Sequence, residues 1–215
     1  GATLFSVGRL DEAIACYLRA LEIAPNLVMV LNNLASAYLA KGNPLAALDA
    51  AKRSLQIEES DDAKAILVSC LSHAQGVSDQ QLRPILIRAL AECWGWPHAL
   101  ARVCIDLVKL DVHVAGCVAR AVEAWPRPLP AQTLVGATGL AALTADSLLL
   151  ALLDAAPICD VEIERFLTTA RHALLDTACD AAESSDGIGF YSALARQCFI
   201  NEYVFSEAEC GRVQQ

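Results

Sequence analysis

Cys198, His172 and Asp176 are the residue types of a nucleophilic triad: a thiol to attack, an imidazole to take its proton, a carboxylate to orient the ring. Acyl chemistry at such a thiol also needs an oxyanion hole. No glycine-rich turn precedes the helical stretch that carries Cys198, which stands between Gln197 and Phe199 in an apolar run. Packing accounts for that cysteine without chemistry, so no catalytic residue is assigned. His113 and Cys117 are four apart and share a helix face, and Cys93 and His98 are close in sequence. Neither pair is joined by a second at ligand spacing, as a tetrahedral zinc site requires, so no metal ligand is assigned. Met29, Asn32, Asn33, Ser36 and Leu39 fall along one helical stretch, and an asparagine amide both donates and accepts.

The elements that must carry these residues are helical. Hydrophobic residues make up 55% of the 215-residue chain and charged ones 19%, with aromatics at 6%. Ala and Leu dominate, which suits helices whose axes approach closely, and the chain is too apolar for disorder. Sixteen Lys and Arg stand against 25 Asp and Glu, for a net charge of −9, and no basic cluster interrupts the acidity. A phosphate backbone or an anionic membrane surface is repelled by such a chain. The nine cysteines are odd in number, lack a Cys-x-x-Cys pair and lie mostly in apolar runs. They read as reduced thiols of a cytoplasmic protein. The longest nearly uncharged stretch, 129–145, falls short of the roughly 20 apolar residues of a membrane span and reads as part of two buried helices.

A repeat organises the first third. Gly8-Arg9-Leu10-Asp11-Glu12-Ala13-Ile14 and Gly42-Asn43-Pro44-Leu45-Ala46-Ala47-Leu48 stand 34 residues apart, and the register continues through Ala20 and Ser54, Leu21 and Leu55, Ile23 and Ile57. This pattern resembles the tetratricopeptide repeat. The resemblance implies pairs of antiparallel helices. Gly8 and Gly42 would sit in left-handed turns, Ala13, Ala20, Ala47 and Ser54 at close crossings, and Tyr17 and Tyr38 in the larger holes. Pro25 stops the second helix and Asn26 opens the next, 27–40. Glu59 stands where the first repeat has Pro25, which softens that boundary. Helix 62–74 reads as the start of a third hairpin. The first repeat begins near the end of its first helix, so the chain is expected to continue upstream.

By the same resemblance, the first helix of each hairpin lines a groove for a polypeptide. In the second repeat that surface is Met29, Asn32, Asn33, Ser36 and Leu39. Asn33 falls where many members of the family carry asparagine, and it either contacts a bound backbone or bonds within its own hairpin. The Lys/Asn clamp for a terminal carboxylate is absent: Ala2, Asn32, Ser36, Ile66 and Cys70 hold those places.

Beyond Gly76 the repeat fades and helices continue, expected at 80–94, 97–110, 112–125, 131–143, 147–155, 161–179 and 190–204. Asp79, Asp160 and Ser147 are candidate N-caps and Pro97 a first-turn residue. Trp94-Gly95-Trp96-Pro97 is an apolar patch at a helix break, and Pro126 to Pro130 a stiff connector. Glu162, Glu164, Asp176 and Asp180, with Arg165 and Arg171, read as a solvated face. The run Leu194 to Phe205, helix 159–167 and the element 85–96 together resemble the region that precedes the catalytic domain in bacterial tetratricopeptide proteins carrying a methyltransferase domain. That resemblance covers 83–205. It implies an S-adenosylmethionine domain beyond Gln215, because Gly187-Ile188-Gly189 follows no strand and does not serve as its glycine-rich turn.

The expectation is an all-α protein: a tetratricopeptide-type hairpin solenoid over 1–75, then a helical bundle or degenerate solenoid over 76–215. Its role would be a scaffold for a polypeptide partner, with no cofactor in this segment. A free-standing structural or dimerising helical protein is the alternative, and a cysteine-dependent enzyme a further one.

Overall fold

The computed structural model describes residues 1–136, 139–178 and 188–200, with only the backbone at 139 and 175–178. Every regular element among the described residues is helical. The chain divides into two compact units, Gly1–Val77 with Glu92–Val103, and Ser78–Ala91 with the chain from Cys104 onward.

The first unit opens with α1 (Ala2–Ser6) and α2 (Leu10–Ile23), followed by α3 (Val28–Ala40), α4 (Pro44–Ile57) and α5 (Asp61–His73). Gly8 and Gly42 both turn the chain at φ 78°, and a Cβ at either would meet nothing within 4 Å. Their requirement is therefore conformational, since left-handed backbone strains residues with a Cβ. Asn43 caps α4 by accepting from the Ala46 N–H at 3.2 Å, with Pro44 in the first helical position. Asn26 does not cap α3; Leu27 stands at that place with no side-chain bond. Ser60 caps α5 by accepting from Ala63 N–H at 3.3 Å, so this helix opens one residue before the expected 62. Although Glu59 replaces Pro25, α4 ends at Ile57, in register with the end of α2 at Ile23, and Glu58 takes the same extended backbone as Ala24.

Helix α3 packs against α2, α4 and α5, and α4 also packs on α5. The seams are built from side chains that end at or near Cβ. Ala13, Ala35, Ala37, Ala47, Ala51, Ser54 and Ala63 are all sealed from solvent. Tyr17 is buried and Tyr38 half-buried. Residues 92–103 add to this unit on α5. Lys64 Nζ reaches Glu59 at 3.1 Å and Glu92 at 3.5 Å and lies 4.9 Å over the Trp94 ring. Gly95 sits so close to Val68 that a Cβ would come within 2.9 Å of its Cγ1, and Arg102 donates to the Ala74 carbonyl at 2.9 Å. The two tryptophans of the patch therefore differ. Trp94 is half-buried, while Trp96 is 76% exposed beside His98.

The second unit contains a 3-10 turn (Gln80–Leu82), α6 (Arg83–Ala91), the last turn of α7 (Pro97–Val108), α8 (Val112–Ala124), α9 (Ala131–Val135), α10 (Gly139–Ala145), α11 (Ser147–Ala155), α12 (Val161–Ala178) and α13 (Ile188–Ile200). Three expectations are corrected. Helix 80–94 begins as a 3-10 turn capped by Asp79 and stops at Ala91, ahead of a turn in which Cys93 takes φ 54°. Helix 131–143 is two helices, because Gly136 turns at φ 69° and Arg120 Nε donates to the Leu134 carbonyl at 2.8 Å, taking the place of a helical partner. The cap of α11 is Asp146 rather than Ser147: one carboxylate oxygen accepts from Leu148 and Leu149 N–H at 3.0 Å each, and Ser147 is the first helical residue. Asp180, Gly187 and 201–205 lie outside the described residues.

The core of this unit is aliphatic, with Leu86 of α6 and Leu148 and Leu152 of α11 sealed where those helices meet, and Phe166 tilted against Phe190 at 6.3 Å. Two cations tie its elements together. Arg83 donates to the Leu107 carbonyl at 3.0 Å and to Asp146. Lys109 Nζ reaches Asp160 at 2.8 Å and Glu162 at 2.7 Å.

Burial pushes the Asp160 carboxyl up, but bonds from Lys109 and from the N–H groups of Ile163 and Glu162 outweigh it and hold the group below the usual carboxylate range. Burial pushes Lys109 down, and its bonds to Asp160 and Glu162 outweigh that and raise it. A lowered acid stabilises the fold above its ordinary pKa of about 4 and a raised amine below its own of about 10. The pair therefore acts between those limits. Lys109→Met is expected to cost about 1 kcal/mol at neutral pH. Urea titrations from pH 7 downward should show the gap between wild type and variant closing below about pH 4; a constant gap would mean that the ion pair contributes nothing.

Candidate functional site

An open groove of about 710 Å³ lies along the first unit between α3 and α5. Val28, Met29, Asn32, Asn33 and Ser36 of α3 form one wall. Their spacing of one, three and four residues places them on one helical face. The other wall is Asp62, Ala65, Ile66 and Ser69 of α5, and Glu58 and Ser60 close one end. That end is shaped by local sequence: Glu58 is the residue on which α4 stops, and Ser60 is the cap that starts α5.

Four of the five residues expected to line a groove meet here, Met29, Asn32, Asn33 and Ser36. Leu39 is half-buried one turn further along α3 and does not line the cavity. The two asparagines have different work. Asn32 Oδ1 accepts from the sealed Ser54 hydroxyl at 2.6 Å, which ties α3 to α4. Asn33 is half-buried, and its amide has no hydrogen-bond partner among the described residues. Ser36 Oγ donates to the Asn32 carbonyl at 3.0 Å, which leaves its acceptor capacity unused by that bond. Met29 presents its side chain at 75% exposure.

Sequence reasoning placed only Ile66 of the α5 wall, at a clamp position, although a signal for more of it exists. Asp62 and Ile66 stand 34 residues after Val28 and Asn32, so extending the repeat register by one hairpin finds them. Ser60 and Glu58 come from the connection, where the period carries no information.

Cys198 Sγ donates to the Leu194 carbonyl of its own helix at 3.4 Å, and no hydrogen bond joins it to His172 among the described residues. The Asp176 side chain lies outside the described ones. Cys117 is buried and accepts from Arg120 at 3.3 Å, whereas His113, one turn before it, is exposed. Cys93 and His98 are both exposed. No group of three metal-ligating side chains occurs among the described residues. No helix among them is long and apolar enough to cross a membrane.

Residues 1–60 match the family model of the tetratricopeptide repeat, which spans α1 to α4. No curated protein and no solved structure matches the chain.

Burial pushes the Cys70 and Cys104 thiols up to about 12, in the second case against the pull of Arg83. At neutral pH their thiolate fraction is on the order of 10⁻⁵, and thiolate is the reactive form. Iodoacetamide at neutral pH should alkylate the exposed Cys93 and Cys159 first and reach Cys70 and Cys104 only after unfolding. Peptide mapping by mass spectrometry reads the order. Labelling of Cys198 ahead of Cys93 and Cys159 would mark an activated thiol and favour the cysteine-enzyme reading.

Proposed function

We propose that the first unit is a peptide-holding module and that the protein works as a scaffold for a polypeptide partner in the cytoplasm. The observation that carries this is the α3–α5 groove, where the free amide of Asn33 stands beside the exposed Met29. An extended peptide offers one N–H and one C=O per residue, and a side-chain amide answers both. The match of residues 1–60 to a repeat that generally mediates association between proteins supports the same reading. No disulfide joins the described cysteines, which suits a reducing compartment.

The likeness of 83–205 to the region ahead of the catalytic domain in methyltransferase-bearing tetratricopeptide proteins extends the proposal. On that reading the chain is the recruiting and regulatory front of an S-adenosylmethionine-dependent methyltransferase, and no residue within it takes part in methyl transfer. The reading frame downstream of Gln215 tests this. A strand followed by a glycine-rich turn and a helix should be encoded there; an immediate stop codon would leave a free-standing scaffold.

The groove itself is tested by pairing two neighbouring substitutions. With a peptide selected from a phage-displayed random library on the full chain, Asn33→Ala should weaken binding about three- to tenfold, the worth of one hydrogen bond. It should leave the urea midpoint nearly unchanged. Asn32→Ala should instead cost about 1–3 kcal/mol of stability, because the sealed Ser54 hydroxyl loses its acceptor. Unaltered peptide affinity in the Asn33 variant would overturn the groove assignment.

A further inference from the structure

We propose that the groove selects its peptide by charge, taking an extended segment that places a lysine or arginine between Glu58 and Asp62; this rests on the peptide-holding reading above. Both carboxylates line the cavity, and neither has an ion-pair partner among the described residues. No lysine or arginine lines it. Two cations of this unit that lie near in sequence are committed elsewhere: Lys64 to Glu59 and Glu92, and Arg53 to the Pro25 carbonyl.

Helix electrostatics sharpen the point. Glu58 is the C-cap of α4, the negative end of the helix dipole, where an acid is unfavourable and a cation favourable. Among the described residues no cation pairs with it, so a positive charge arriving in the groove relieves a repulsion as well as making a pair. Asp62 sits in the first turn of α5, where its own helix already favours it, and it holds the second charge in place at no cost to the fold.

The groove also sets where the cation goes. Its α3 wall runs from Val28 to Ser36, about 12 Å at 1.5 Å per residue, which accommodates roughly four residues of extended chain. The charged end is the one at Glu58 and Asp62. Beyond it Met29 and Ile66 offer apolar contact, Asn33 an amide, and Ser36 and Ser69 hydroxyls. The complementary segment therefore has a basic residue within about four positions of an aliphatic side chain and no acid. The net charge of −9 adds long-range attraction for such a segment, which raises its rate of encounter.

Panning the full chain with a phage-displayed random peptide library, then measuring the selected peptides by fluorescence polarisation, tests the proposal. Four proteins are compared: wild type, Asn33→Ala, the double variant Glu58→Gln/Asp62→Asn, and the double variant Glu22→Gln/Asp49→Asn. The last removes the same charge from exposed positions that do not line the groove. Selected peptides should carry Lys or Arg at a fixed spacing from an aliphatic residue. Affinity should fall about tenfold in Glu58→Gln/Asp62→Asn, with a shallower salt dependence, and stay within about twofold in Glu22→Gln/Asp49→Asn. Equal losses in the two double variants would overturn the proposal, since general acidity would then explain the selection. Neutral or acidic peptides sensitive to Asn33→Ala would overturn the charge preference and leave the groove standing. Peptides insensitive to all three variants would remove both. Circular dichroism melts of each variant separate loss of binding from loss of fold.

Discussion

The approach of α3 to α4 is the contact on which the first unit depends. Ala35 and Ala37 of α3 and Ala47, Ala51 and Ser54 of α4, helices that pack together, are sealed from solvent, and none extends past its first side-chain atoms. Helices faced with such residues approach at the short end of the usual 8–10 Å range. Only at that distance does the Ser54 hydroxyl reach Asn32 Oδ1 at 2.6 Å. The same approach brings α5 against both α3 and α4, so one wall of the groove is located by the other. A larger side chain in the seam would part the helices, orphan a buried hydroxyl and displace the α5 wall together.

Charge is handled in opposite ways at the groove and in the second unit. There, Arg83 and Lys109 each engage more than one acceptor, and Asp146 combines an ion pair with a helix cap. A charge withdrawn from water needs that many partners, and removing one partner of such a set costs more than never having built it. Glu58 and Asp62 are exposed and have no ion-pair partner among the described residues. Solvated acids are inexpensive to leave unmatched, and they keep their field for whatever enters the groove.

The cysteines show why residue type is a weak guide to chemistry in a small-residue helical protein. A thiol is close in size to the alanines around it and fills the same tight spaces. Burial then raises the pKa of Cys70 and Cys104 and suppresses the thiolate that chemistry would need. Cys198 donates its weak S–H to the Leu194 carbonyl of its own helix.

Much of the helical register was legible because its causes are local. A glycine spaced 34 residues from another marks a left-handed turn, an Asn–Pro pair opens α4, and the bounds of α11 follow from flanking polar residues. Four of the expected groove residues follow from the phase of one helix within a repeat. What depended on distant partners was not legible. Gly136 breaks a helix where Arg120 stands ready to take the Leu134 carbonyl, and residues 92–103 join α5 through Lys64, Val68 and Ala74 rather than through any periodic signal. Asn32 and Asn33 are identical in type and adjacent, yet one binds Ser54 while the other has no hydrogen-bond partner among the described residues. Sequence by itself determined which stretches are helices and where they turn, since those depend on a residue and its neighbours within a turn. Tertiary structure alone decided which side chains are spent on holding the helices together and which remain unsatisfied at the groove, because that depends on how closely the helices approach.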